Sequence, residues 1–179
     1  ELKSLQVEID AMVQKLLSSK TSIDAGDMAQ VVNKIEVTPG VMKADNVQVP
    51  SAGKIISATL SKMQPVQVSA GPDSVQISDS GVTPDASAVT VTGDSVSVGG
   101  ADLKITPAEA AGKVFAAVRG MRIVSENNRP VYKVDADKKA RILGIFPVSM
   151  QKQVTVDGQS GQVVSEQKPW WGDLAVEEN

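Results

Sequence analysis

The hydrophobic period of this chain changes near residue 40, and each side of the change admits only certain elements. Leu2, Leu5, Ile9, Met12 and Leu16 recur at steps of three and four, with Lys3, Gln6, Glu8, Asp10, Gln14 and Lys15 on the remaining faces. That spacing predicts an amphipathic helix to about residue 20, within a stalk of residues 1–25. Val13 and Leu17 widen the stripe beyond the strict heptad of a two-stranded coiled coil, so packing onto the body is favoured and self-association is the competing reading. A second short helix is expected around Asp27, with Met28, Val31, Val32 and Ile35 on one side, until Pro39-Gly40 stops it.

From Val41 the period falls to two. Val47-Gln48-Val49, Val66-Gln67-Val68, Val75-Gln76-Ile77, Val89-Thr90-Val91 and Val96-Ser97-Val98 are divided by Pro, Gly, Asp and Ser. Residues 26–105 therefore read as a Ser/Thr/Val-rich β region with short helices, because alternation puts every second side chain on a buried face. Their irregular spacing favours an ordinary meander over a solenoid or fibrous repeat. Ser51 to Met63 is the ambiguous interruption: Ile55, Ile56, Leu60 and Met63 fit a helix face, a strand being the alternative, and helix is preferred.

Residues 106–179 change character again. Thr106-Pro107-Ala108-Glu109 offers an N-cap, a proline at the first helical position and a glutamate three residues after the cap, which predicts a helix to about Arg119 burying Ala110, Val114, Phe115 and Val118. Two hairpins should follow. Val131–Val134 should turn at Asp135–Lys139 into Arg141–Val148, and Val154–Val156 should turn at Asp157–Gly161 into Gln162–Ser165. The expected fold class is accordingly α+β: an N-terminal amphipathic helix, a β-rich middle, and a C-terminal helix packed on an antiparallel sheet.

Composition removes much chemistry. With no Cys and no His, the usual zinc, iron–sulfur, haem and copper ligand sets are missing, as are Cys-His and Ser-His-Asp catalysis. Ser18-Ser19-Lys20 and Ser61-Lys62 sit in no recognisable nucleophile motif, and Gly99-Gly100 and Gly71-Pro72 read as turns, so the chain is expected not to be an enzyme and to need no cofactor. Asp73, Asp79, Asp85, Asp94 and Asp102 punctuate the middle strands at spacings that match no calcium loop, and they read, like Asp135 and Asp137, as turn residues. A net charge of −3 with interspersed signs supplies no basic field for nucleic acid. Pro169-Trp170-Trp171 holds both tryptophans of a chain with 3% aromatics, as a packing anchor, a partner contact or an interface contact.

Arg129-Pro130-Val131-Tyr132-Lys133-Val134 after the capped helix, then Val154-Thr155-Val156-Asp157 with Ser160-Gly161-Gln162-Val163-Val164, resembles PepSY-type domains over about a third of the chain, residues 106–168. The resemblance implies an extracytoplasmic, often membrane-anchored, non-catalytic module. A helical stripe beginning at Glu1 fits a trimmed product with an anchor upstream. The expected function is therefore the soluble part of an N-terminally anchored surface or envelope protein, in the periplasm or at the cell surface. It would bind a protein partner through the sheet edge or through Leu2, Leu5, Ile9, Met12, Leu16, Trp170 and Trp171. The alternative is a structural subunit of a pilus-like or fibre assembly that self-associates through the N-terminal helix.

Overall fold

A computed structural model describes residues 32–51, 53–60, 64–93 and 95–177. The heptad stripe from Leu2 to Leu16 lies outside the described residues, as does most of the second predicted helix. Among the described residues the chain is mostly β, which overturns the α+β assignment: it forms fifteen strands, one six-residue α-helix and one 3-10 turn.

In chain order the strands of the first half are β1 Lys34–Thr38, β2 Val41–Ala44, β3 Val47–Pro50, β4 Ile55–Leu60, β5 Gln64–Ala70, β6 Val75–Ser78, β7 Asp85–Ala86, β8 Val89–Thr92, β9 Ser95–Val98 and β10 Ala101–Asp102. Helix α1 (Pro107–Gly112) precedes β11 Ala117–Glu126, β12 Arg129–Ile142, β13 Phe146–Asp157, β14 Val163–Gln167 and β15 Ala175–Glu177. One sheet has six strands in the order β10-β9-β8-β1-β2-β3. The other runs β14-β13-β12-β11-β7-β6-β5-β4, with β15 added beside β12. β15 and β11 share one edge of β12 in tandem: β11 pairs Arg129 to Asp137, and β15 pairs Ala140 to Ile142.

The five V-x-V units all lie in strands, and in four of them the alternation does what period two requires, whereas in β3 Val49 is buried and Val47 is exposed. Val66 and Val68, Val75 and Ile77, Val89 and Val91, and Val96 and Val98 point inward and are buried. They meet Val37, Met42, Ile56, Leu60, Ile123, Tyr132, Val134, Val154 and Val156 in one cluster drawn from both sheets, the core of a β-sandwich.

Three helical expectations fail for physical reasons. Ile55–Leu60 is strand β4, because Ile56, Ala58 and Leu60 alternate inward against β5 and so satisfy period two as well as they satisfy a helix face. Ile35, assigned to the second helix, lies in β1 opposite Val91. Helix α1 has the predicted capping box, with Thr106 Oγ1 accepting from the Glu109 N–H at 3.2 Å and Glu109 Oε2 accepting from the Thr106 N–H at 3.1 Å. It ends at Gly112, however, because the β-branched Val118 pairs opposite Ala136 in the β11–β12 ladder. Phe115 is left 81% exposed and Val118 is also exposed, against the expectation that both are buried.

The first predicted hairpin turn is also displaced. Asp135–Lys139 continues through β12 in regular register with β13, and the chain reverses only at Leu143–Ile145. The ladder from Val131↔Asp157 to Ile142↔Phe146 thus carries this pair of strands past the shared core, whose members stop at Ala136 and Val154. Six further residues of β12 extend the arm by about 20 Å.

Candidate interaction surface

The base of the arm is locked by polar bonds that the fold buries. Tyr132 is completely buried, and its hydroxyl donates to the Ile105 carbonyl at 2.8 Å. Burial pushes its phenol well above the ordinary tyrosine range, so it stays neutral and remains a donor. Gly158 packs where nothing larger fits: an added Cβ would lie 2.7 Å from the Pro130 oxygen and 2.9 Å from Leu103 Cδ2. Its carbonyl accepts from the N–H groups of Lys104 at 2.9 Å and Ile105 at 3.2 Å, and its N–H donates to Pro130 at 2.8 Å.

The Asp157–Gly161 turn lies where the sequence places it, for a reason visible in its bonds. Asp157 Oδ1 accepts from the Gln159 N–H at 3.0 Å, the Ser160 N–H at 2.7 Å and the Ser160 hydroxyl at 2.9 Å. Burial alone would push this carboxyl up, but the bonds from Ser160 and Gln159 and the charge of Arg129 outweigh it and hold the group below the usual carboxylate range. Gly161 supplies the positive φ of +73° that returns the chain. The aspartate and the glycine of this motif are therefore accounted for by turn geometry.

From that turn emerges β14, the edge of the larger sheet, with every residue from Val163 to Gln167 exposed. Beneath it lies an open polar groove lined by Arg119, Asp135, Gln151, Gln153 and Gln167. Gln153 donates to Asp135 at 2.7 Å and Arg119 to Asp137 at 3.3 Å, so the groove side chains already satisfy one another across strands.

The far half of the arm has its own cover, supplied by residues 168–177. Met150 is completely buried outside the main core, and Gly172 lies over it so closely that a Cβ there would sit 3.3 Å from the sulfur. The buried Lys152 donates to Glu166 at 3.0 Å, and Lys168 donates to Glu177 at 2.6 Å. The bond from Lys168 holds the Glu177 carboxyl below its ordinary range and raises Lys168 in turn. Trp171 precedes the 3-10 turn Gly172–Leu174 and is half-buried, whereas Trp170 is 88% exposed. The tryptophan pair therefore divides its roles, one side chain in the strap and one in solvent.

Beyond the strap the arm ends in apolar residues. Leu143, Ile145 and Phe146 are each more than 60% exposed, and Leu174 and Val176 beside them are also exposed. Leu143 adopts a φ of +52° and Gly144 one of +74°, and the Ile145 N–H donates to the Ile142 carbonyl at 3.1 Å, the features of a tight I′-type reversal. This cluster is absent from the sequence-predicted contact residues. Its signal is the run Ile142-Leu143-Gly144-Ile145-Phe146-Pro147, apolar where a turn normally holds polar residues.

The other predicted contacts, Leu2, Leu5, Ile9, Met12 and Leu16, lie outside the described residues. Of the middle aspartates, Asp85 is not a turn residue but lies in β7, between β6 and β11, and accepts from Ser74 and Gln76, while Asp102 accepts from Ser97 and Asp79 from Ser80; Asp94 lies outside the described residues. Among the described residues no group of three carboxylates is placed to hold a metal ion, and no helix is long and apolar enough to cross a membrane. No protein-family model, curated protein or solved structure matches the chain.

Proposed function

We propose that this chain is a non-catalytic binding module of a surface or envelope protein, acting outside the cytoplasm, and that it takes a protein partner along the edge strand β14. The observation that carries the reading is the state of that strand: all five residues are exposed, including Val163 and Val164, and among the described residues no strand pairs with its outer side. An extended segment of a partner added there would complete the ladder with main-chain bonds, and the two valines would supply apolar contact. The non-catalytic reading rests on a chain without His or Cys, and the extracytoplasmic one on the resemblance of residues 106–168 to PepSY-type domains.

A photo-crosslinking residue at position 164 tests this in cells. A discrete adduct with a second protein, lost when Val163 and Ser165 are both replaced by Lys, is the expected outcome; no adduct, or one that persists in that variant, sinks the reading. A structural subunit is the second reading, favoured by the fact that β4 and β14 form opposite ends of the same sheet. Joined edge to edge, copies would form an open, heterologous array. Light scattering over a concentration series separates the two, since an array grows in mass with concentration and a binding module does not.

A further inference from the structure

We infer that Met150 is a site of oxidative modification governed by the strap of residues 168–177: a peroxide reaches its sulfur when the strap opens, and the sulfoxide then keeps the strap from closing.

Met150 and Lys152 continue the inward face of β13 beyond Val154 and Val156, and Ala140 does the same for Val134 and Ala136 on β12. Met150 and Ala140 are buried, yet neither belongs to the cluster that the two sheets share. Their cover is the strap, and its hold is slight. Of the ten residues 168–177 only Gly172 is buried, with Trp171 half-buried beside it. The β15 ladder is three pairs long, from Ala140↔Glu177 to Ile142↔Ala175. The other bonds are polar: Lys168 to Glu177 at 2.6 Å, Lys168 to Glu166 at 3.6 Å, and the Leu143 N–H to the Leu174 carbonyl at 3.2 Å. A segment that buries so little apolar surface opens locally at a free energy well below that of the whole fold. Met42 is buried within the shared core and has no such route to solvent.

Opening delivers a thioether to solvent. A sulfur lone pair attacks one oxygen of hydrogen peroxide, the O–O bond breaks, and the other oxygen leaves as water, so the sulfur is oxidised by two electrons and the peroxide is reduced by two. The product does not fit beneath a closed strap. A Cβ at Gly172 would already lie 3.3 Å from the sulfur and 3.0 Å from Lys168 Cβ, so that side has no space for an added oxygen. Lys152, the cation on the same face, is held by Glu166 at 3.0 Å and faces Glu177 at 4.0 Å, and it is not free to donate to the new oxygen. A polar sulfoxide buried there without a donor favours the open state. Opening also releases the edge of β12 from Ala140 to Ile142, which β15 otherwise occupies, for pairing with another strand.

The test is oxidation of the full chain by hydrogen peroxide, with sulfoxide mapped by peptide mass spectrometry and the strap followed by amide hydrogen exchange. Met150 should oxidise about tenfold faster than Met42 or more, because the strap opens without the core. Gly172→Ala, which sets a Cβ against the sulfur, should raise the Met150 rate about tenfold and leave that of Met42 unchanged. Lys168→Gln, which removes the bond to Glu177, should raise it about threefold. After oxidation, exchange in residues 168–177 should quicken while exchange around Tyr132 stays as it was. Met150→Leu keeps the volume without the sulfur and should hold its strap closed in peroxide, which also controls for sulfoxide at other methionines. Oxidation of Met150 no faster than that of Met42, a Met150 rate unmoved in both strap variants, a strap that exchanges alike before and after oxidation, or one that loosens equally in Met150→Leu overturns the inference.

Discussion

β12 begins and ends in tight reversals that use the same backbone and opposite chemistry. At its base, Asn127 and Asn128 sit at φ values of +51° and +59°, both exposed, and Asn is among the few residues that take this conformation at little cost. At its tip, Leu143 and Gly144 sit at +52° and +74°, and the leucine bears backbone strain while leaving its side chain in water. The base is followed by buried packing around Tyr132 and Gly158, whereas at the tip the strap contributes the Leu174 carbonyl, which accepts from the Leu143 N–H at 3.2 Å, and Leu143, Ile145 and Phe146 stay exposed. A turn that obeys local rules next to a core is there to hold the fold. A turn that breaks them bears a backbone cost that the two asparagines avoid.

The contrast is broken most sharply at the base. Gly158→Ala places a Cβ against the Pro130 carbonyl and Leu103, and should cost about 3 kcal/mol in denaturant unfolding; a loss under about 1 kcal/mol would mean that the Asp157 turn can shift freely. Tyr132→Phe removes the donor to Ile105 and leaves a buried carbonyl unpaired, and should cost about 1.5 kcal/mol with the fold retained by circular dichroism.

Exchanging the chemistry of the turns sharpens the comparison. Asn127→Leu should destabilise by about 1 kcal/mol, and Leu143→Asn should stabilise by up to about 1 kcal/mol; equal and opposite shifts in the unfolding midpoint would show that the tip bears a cost the base avoids. The smallest effect separates the ends by pH. The Asp157 carboxyl is held low in the folded state, so its contribution is complete above the ordinary aspartate range of the unfolded chain and is lost as pH falls through the lower folded value. Acid titration of Asp157→Asn beside the parent chain should therefore show a smaller loss of stability below about pH 4 in the variant, and parallel curves would remove Asp157 from the account.

The legible parts of this fold are those where local chemistry has one solution. Thr106-Pro107-Ala108-Glu109 can hardly be anything but a helix start, and Asp157-Gly158-Gln159-Ser160-Gly161 carries its own acceptor and its own positive-φ glycine. The five V-x-V units belong to the same class. Ile55–Leu60 resists reading because six apolar and small residues satisfy two periods at once, and only β5 decides between them. Helix α1 stops short of its predicted end because Val114 and Val118 fit its face locally, while pairing with β12 overrides that fit. Of the candidate surface, Trp170 stands out by composition. Leu143, Ile145 and Phe146 do not, because an apolar run reads as buried strand unless something locates the turn within it.

The strand order sets a kinetic division between the halves of the molecule. β11 to β14 form a meander in which each strand pairs with its neighbour in sequence, so those ladders close loops of only a few residues. β1 must instead find β8 across more than fifty residues before the smaller sheet has a centre. The meander should therefore form early and offer its Tyr132 face as a template, with the smaller sheet condensing onto it in a slower phase set by the β1–β8 search. Stopped-flow refolding would resolve these as two amplitudes, the slow one sensitive to substitutions in Val37 and Val91 and indifferent to those in the arm.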